Sequence, residues 1–419
     1  MNQKLRLDAE TIVRAAIDAV KPDAAVKAAL AHFAPAGRLY LFAVGKAAWQ
    51  MARAALELPG IRPDGGIVLT KYDHVGHPLE NVLCLEAGHP VPDGNSYQGT
   101  QAILDMSKHL LETDTVLLLL SGGGSALFEQ PRIAPERMEQ LTRLLLASGA
   151  DITEINTIRK RLSMVKGGQF AAWCAPARVY TVVLSDILGD PLDMIAGGPT
   201  VPDASTAEQA IAIAEKYRLP LTEEERPLLR TELPRALPNA EAHIIGSVRQ
   251  LCGAAMSGCA ALGYAPLLLT DRLACEAREA GRFLGAIARS HAADGKKLAF
   301  LAGGETVVHL CGSGLGGRNQ ELALAAAEEL AGIPNAAILS VGSDGTDGPT
   351  DAAGGYADGD TCGELEELGI DLEAYLNNND AYHSLQAVHG LILTGPTGTN
   401  VNDLSLVLID EDSGTCTTT

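Results

Sequence analysis

The chain has 419 residues, a formal net charge of −20 and a hydrophobic fraction of 47%, with 44 glycines and 21 prolines. That is too long for one ordinary core and suits two globular domains rather than a disordered or low-complexity chain. The acidity argues against nucleic acid or an anionic membrane as a partner, and an aromatic content of 4% leaves few platforms for stacking single-stranded bases.

The N-terminal segment Met1 to Asp8 lacks an apolar targeting core. Beyond it Ile12, Val13, Ala16, Ile17 and Val20 recur at three- and four-residue spacing and predict a helix. Leu39 to Val44 reads as a short buried strand that ends at Gly45, and Lys46 to Ala55 as the helix after it. Strand, glycine turn and helix together are the unit of a parallel sheet covered on both faces.

The unit recurs at Val116–Leu120 with Ser121–Ser125, and at Val179–Leu184 with Ser185-Asp186. Val116–Leu120 is the longest purely aliphatic run, far short of a membrane span, and a cytoplasmic protein is expected. The stretch Glu225 to Asn239 carries Pro227, Pro234 and Pro238 and reads as a boundary, dividing the chain into domains 1–240 and 241–419. Further strands are expected at His243–Gly246, Ala265–Thr270, Leu298–Ala302 and Ala337–Val341. The alternation predicts an α/β protein of two domains, each built around a mostly parallel sheet flanked by helices. No solenoid-type repeat is visible.

Eight cysteines (Cys84, Cys174, Cys252, Cys259, Cys275, Cys311, Cys362 and Cys416) form no C-x-x-C pair and no zinc-type grouping with histidine. Scattered reduced thiols are expected.

In open parallel sheets ligands bind beyond the carboxyl ends of the strands, so the turns there hold the candidate chemistry. Gly45-Lys46 offers helix-start amides and a mobile cation to an anion, although a merely exposed lysine would read the same way. No G-x-x-x-x-G-K-[ST] is present, so this is not a P-loop. Ser121-Gly122-Gly123-Gly124-Ser125 allows successive amides to face one concavity suited to phosphate or carboxylate. It is not a nucleophile elbow, because Leu127 stands where the last glycine belongs.

Asn156 to Arg161, followed by Lys166-Gly167-Gly168, is the most basic stretch of an acidic protein and reads as a solvated helix face, or as a lid or wall bringing cations to a polyphosphate. Asp186 and Asp190 lie just past a strand end, where carboxylates hold Mg²⁺ or orient a hydroxyl, or simply form turns.

In the C-terminal half, Gly303 to Thr306, Ser343 to Gly348 with Asp344 and Asp347, and Gly395 to Asn400 are similar turns. Gly312 to Gly317 matches the dinucleotide pattern G-x-G-x-x-G. Val307 to Leu310 is a poor buried first strand, however, and Asp344 stands too far on for the ribose acid. Arg318, at the following helix start, reads better as an anion clamp.

Taken together, these motifs resemble the glycerate 2-kinase family whose C-terminal part is the MOFRL domain. The matching segments are Val44–Ala47, Ser121–Ser125, Glu154–Lys160, Leu184–Asp190, Gly303–Thr306, Gly317–Glu321, Asp344–Asp351 and Gly395–Asp403, all in the family order. The resemblance implies two α/β domains with the active site in the cleft between them. It also implies ATP and Mg²⁺, with phosphorylation of D-glycerate at C2 to 2-phospho-D-glycerate.

Lys46, Asp186 and Arg318 match the positions expected to be catalytic. Ser121, Gly122, Gly123, Gly124, Ser125, Arg159, Lys166, Asn319 and Asn400 are the cofactor-binding candidates. Asp186 and Asp190 are the metal candidates, with Asp344 and Asp347 as alternatives. Phosphoryl transfer asks mainly for positioning and charge neutralisation, which these residue types supply.

Two other readings compete. Some family members have been described as NAD(P)H-dependent hydroxypyruvate reductases, and anion nests also suit a non-catalytic sensor of phosphorylated metabolites. The oligomeric state stays open, a homodimer included.

Overall fold

The computed structural model describes residues 1–411; Cys416 lies outside them. The seven cysteines within the described residues are all free thiols. The chain divides into two compact units, one formed by Pro22–Ile245 and one by Met1–Lys21 with the chain from Gly246 onward. Among the described residues no helix is long and apolar enough to cross a membrane.

In the unit Pro22–Ile245, six strands line up as β3-β2-β1-β4-β5-β6. They are β1 (Leu39–Val44), β2 (Gly65–Lys71), β3 (Val82–Ala87), β4 (Thr115–Leu120), β5 (Arg178–Leu184) and β6 (Ala240–Gly246). The pairings from β3 through β5 are all parallel. The central strands are aliphatic because both of their faces are covered, and Val116 to Leu120 are no more than 2% exposed. Phe42, Leu118, Ile103, Phe128 and Phe170 belong to the core of this sheet. A smaller core of Met138, Leu145, Ile158, Leu162 and Ala210 joins the helices Pro135–Ala147, Ile152–Leu162 and Ala207–Lys216.

The helix Ile152–Leu162 starts where the sequence D-x-x-E closes a capping box. The Asp151 side chain accepts from the Glu154 N–H at 2.8 Å, and Glu154 accepts from the Asp151 N–H at 3.2 Å.

The other unit holds β7 (Ala265–Leu273), β8 (Leu298–Gly304), β9 (Ala336–Gly342), β10 (Gly354–Asp358), β11 (Leu391–Ile392) and β12 (Asp403–Ile409). Their order is β11-β10-β9-β12-β8-β7. β7 and β8 pair in parallel, while β12 runs antiparallel to both β8 and β9. β10 is antiparallel to β9 and to β11, so β7, β8, β9 and β11 share one direction and β10 and β12 oppose it. The last strand of the chain thus fills the middle of the sheet, and all seven of its residues are buried.

The first helix, Gln3–Ala19, belongs to this second unit, which a boundary read near residue 240 does not anticipate. Its buried stripe of Leu5, Ala9, Ile12, Val13, Ala16 and Ile17 is the one the periodicity predicts. The stripe packs beside the helix Val248–Ala261, where a Cβ on Gly258 would lie 3.5 Å from Ile12. Periodicity shows which face of a helix is covered, but not which distant element covers it.

Candidate active site

The order β3-β2-β1-β4-β5-β6 reverses direction between β1 and β4, and in open α/β sheets ligands bind beyond the strand ends at that point. Val44 pairs with Leu120, and Leu120 with Val183, so these strands end level with one another. The register brings together Gly45-Lys46, Ser121–Ser125 and Ser185-Asp186.

The turns interlock. The Lys46 N–H donates to the Gly122 carbonyl at 2.8 Å, and the Ala47 N–H donates to Ser121 Oγ at 3.0 Å. Glycine is required at Gly45, and at Gly122 it leaves room for a neighbouring side chain. A Cβ on Gly45, whose φ is +124°, would lie 2.2 Å from Ser121 Oγ, and one on Gly122 would lie 2.1 Å from Asp186 Oδ2. Lys46 and Asp186, both half-buried, therefore stand against the same glycine turn.

His89, beyond the end of β3, joins them. A Cβ on Gly123 would lie 2.9 Å from the His89 ring and 3.3 Å from the Lys46 side chain. Burial, reinforced by Lys46, Lys71 and His74, lowers the His89 pKa below the usual imidazole value and favours the neutral ring.

Most of the basic stretch turns inward rather than forming a solvated face. Lys160 Nζ donates to Asp203 at 2.6 Å, and the fully buried Arg161 donates to Thr157 and Ser205. Lys166, 1% exposed, lies beneath the glycine turn, where its ammonium donates to the carbonyls of Ser125 and Phe128 at 3.0 Å each. Burial pushes its pKa down to about 8. Its charge supports the turn from below, an internal role different from the ligand contact expected of it. Arg159 reaches the Ser125 carbonyl at 3.4 Å and Glu129 at 3.5 Å, and it lines a pocket beside the turn.

In the second unit, β8 and β9 end on either side of the start of β12, and Asp403 pairs with both Gly304 and Gly342. Over Asp403 lies Arg318, the first residue of the helix Arg318–Leu330. Its Nε donates to Asp403 Oδ2 at 2.5 Å, one terminal nitrogen to Oδ1 at 3.0 Å, and the other to Glu305 at 2.7 Å. Burial pushes the Asp403 carboxyl up to about 6 despite the nearby guanidinium. Asn402 braces Glu305 from the other side at 3.1 Å.

Asn319 and Asp347 are interior. Asp347 accepts from the Asn319 and Gln320 backbone N–H groups at 3.1 and 2.9 Å and so caps the helix Arg318–Leu330. Asn319 is 1% exposed and takes a hydrogen bond from Ser340 at 2.6 Å. Asp344 accepts from the Thr346 N–H at 3.0 Å in a local turn. Asn400 is half-buried in the loop that leads to β12.

Among the described residues no group of three or more histidine, cysteine or acidic side chains is placed to hold a metal unaided. Asp190, with a positive φ of 54°, keeps one buried carboxylate oxygen that has no hydrogen-bond partner among the described residues. One or two carboxylates of this kind fit Mg²⁺ that arrives on a nucleotide, because that ion keeps water and phosphate oxygens as its remaining ligands.

A family model described as a domain of unknown function (DUF4147) matches residues 8–230, and the MOFRL family model matches residues 298–403. The chain is 49% identical to the D-glycerate 2-kinase of Thermotoga maritima across 97% of this chain and 99% of that protein.

The chain belongs to the glycerate 2-kinase family.

The crystal structure of a glycerate kinase from Thermotoga maritima superposes with a TM-score of 0.94 at 49% identity, covering 97% of this chain and 100% of that one. A relative from Agrobacterium vitis, 37% identical over 96% of this chain and 95% of its own length, is provisionally named a hydroxypyruvate reductase.

Within this family member the G-x-G-x-x-G stretch is a packing element. The N–H groups of Cys311 and Gly312 donate to Asn379 Oδ1 at 2.7 and 2.9 Å, and that of Gly314 donates to the Asn378 carbonyl at 2.9 Å. A Cβ on Gly312 would lie 2.3 Å from that same carbonyl. These amides are occupied by protein acceptors rather than turned toward a pyrophosphate.

Sequence reasoning missed His89, Glu129 and Asp403 as site residues. His89 and Asp403 sit just beyond or at strand ends, which was a usable signal. Glu129 had none.

Proposed function

We propose that this protein transfers the γ-phosphoryl group of ATP to the C2 hydroxyl of D-glycerate, giving ADP and 2-phospho-D-glycerate. The full-length match at 49% identity to a D-glycerate 2-kinase carries this reading. The cluster of Lys46, Ser121–Ser125 and Asp186 at the switch point of the first sheet supplies chemistry to suit it.

The C2 oxygen attacks phosphorus, the bond to the β-phosphate oxygen breaks, and the hydroxyl proton passes to Asp186. Lys46 and the amides of the glycine turn neutralise the charge on the phosphate oxygens. Arg318 is oriented by Asp403 and Glu305 through three of its N–H groups. About two of the five N–H donors of a guanidinium then remain for a phosphate or the glycerate carboxylate. Mg²⁺ carried by ATP would be held by Asp190, and by Asp186 through water so that its carboxylate stays basic, and would offset phosphate charge.

The test uses purified protein with D-glycerate, ATP and Mg²⁺, coupled to enolase alone, which accepts only the 2-phosphate. Immediate signal supports the reading, whereas signal only after phosphoglycerate mutase is added means C3 phosphorylation. Consumption of NADH with hydroxypyruvate and no ATP would replace the kinase with a reductase.

A further inference from the structure

Beside the glycine turn, wholly within the unit Pro22–Ile245, lies a cavity of about 350 Å³. Gly123 and Ser125 form the wall it shares with the turn, while Val91, Met138 and Leu146 make much of the remaining wall apolar. At its polar end Glu129 is 1% exposed, and among the described residues neither carboxylate oxygen has a hydrogen-bond partner. Arg159 and Lys166 lie 3.5 Å from it and balance its charge without hydrogen bonding to it.

A buried carboxylate without hydrogen bonds is costly, and a ligand bearing hydroxyl donors relieves that cost. A second cation is a poor occupant, because two are already present. Glycerate is poor too: it is an anion, far smaller than the cavity, and needs no apolar wall.

We propose that this pocket receives the nucleoside of the phosphoryl donor, with Glu129 accepting hydrogen bonds from the ribose hydroxyls. The base lies against Val91, Met138 and Leu146, and the phosphates run onto the turn at Gly123 and Ser125. Arg159, held among the described residues by its long contacts to Ser125 and Glu129, turns to the phosphates as the ribose takes its place. This rests on the kinase reading for the identity of the ligand. The pocket's chemistry adds which part of the nucleotide goes where.

Calorimetric titration of the whole protein with ATP, 2′-deoxy-ATP and 3′-deoxy-ATP, without glycerate, tests the proposal independently of turnover. Loss of a hydroxyl that bonds a buried carboxylate should weaken Kd about 10- to 100-fold for at least one deoxy analogue. Glu129→Gln should shrink that discrimination to about threefold or less, since an amide offers one acceptor where the carboxylate offers two.

Leu146→Trp, on the exposed rim, folds safely and should raise the Kd for ATP about tenfold by filling the base site, leaving the KM for glycerate unchanged. Equal binding of all three nucleotides, or an unchanged Kd in Leu146→Trp, overturns the assignment even if glycerate is phosphorylated. Ribose-dependent binding in a protein that fails to phosphorylate glycerate would keep the pocket and discard the reaction.

Discussion

Asp403 holds Arg318 at two points, Nε to Oδ2 at 2.5 Å and a terminal nitrogen to Oδ1 at 3.0 Å, and so fixes the plane of the guanidinium above the ends of β8 and β9. An arginine free to sample its rotamers would have to lose that entropy on binding an anion as proposed; one already clamped does not.

The clamp titrates in a useful range. With the Asp403 carboxyl pushed up to about 6, protonation below that pH removes the charged partner of Arg318. An acidic limb in kcat/KM near pH 6 is expected, and Asp403→Asn should flatten it while lowering the plateau. Stability moves the opposite way. The folded state holds this proton more tightly than the unfolded chain, whose value is 3.8, so the group's contribution falls as pH rises from about 4 to 6. A pH–rate profile and thermal melts over that window check both signs.

Lys46→Ala and Arg318→Ala should each lower kcat/KM by about 10²-fold or more, because a charge-assisted contact in a closed site is worth a few kcal/mol at the transition state. Circular dichroism should show the fold unchanged. Near-normal activity in either variant removes that residue from the mechanism.

For the metal, Asp186→Asn and Asp190→Asn should raise the Mg²⁺ concentration needed for half-maximal rate. Asp347→Ala should instead destabilise by about 1–2 kcal/mol with the Mg²⁺ requirement unchanged, since its carboxylate caps a helix. A normal metal dependence in both Asp186 and Asp190 variants would shift attention to Asp344 or to the nucleotide alone.

Lys166→Met removes the cation under the glycine turn and leaves Glu129 with Arg159 as its remaining ionic partner. Breaking a buried pair in this way costs about 3–5 kcal/mol, which denaturant titration would detect. In the parent protein, Lys166 sits near 8 when folded and at 10.5 when unfolded. The unfolded chain binds the proton more tightly, so this group's contribution to stability grows as pH rises from about 8 to 10.5. A loss below about 1 kcal/mol in Lys166→Met would refute the supporting role.

By itself the sequence determined the alternation of strands and helices, the buried stripe of the first helix, the strand-end positions of Lys46, Ser121–Ser125 and Asp186, and the helix-start position of Arg318. All of these follow from local periodicity and from glycine-rich turns after aliphatic runs, which neighbouring residues specify. Tertiary structure alone decided that the first helix joins the C-terminal unit, that β12 lies between β8 and β9, and that the basic run is spent on Asp203, Ser205 and the carbonyls beneath the turn. A lysine reads as a free cation until the fold shows which carbonyls surround its nitrogen. Similarly, Glu129 became visible only through Arg159, 30 positions away in the chain, and the clamp of Asp403 on Arg318 spans 85 positions, because charge pairing is set by distance in space and leaves no local pattern behind.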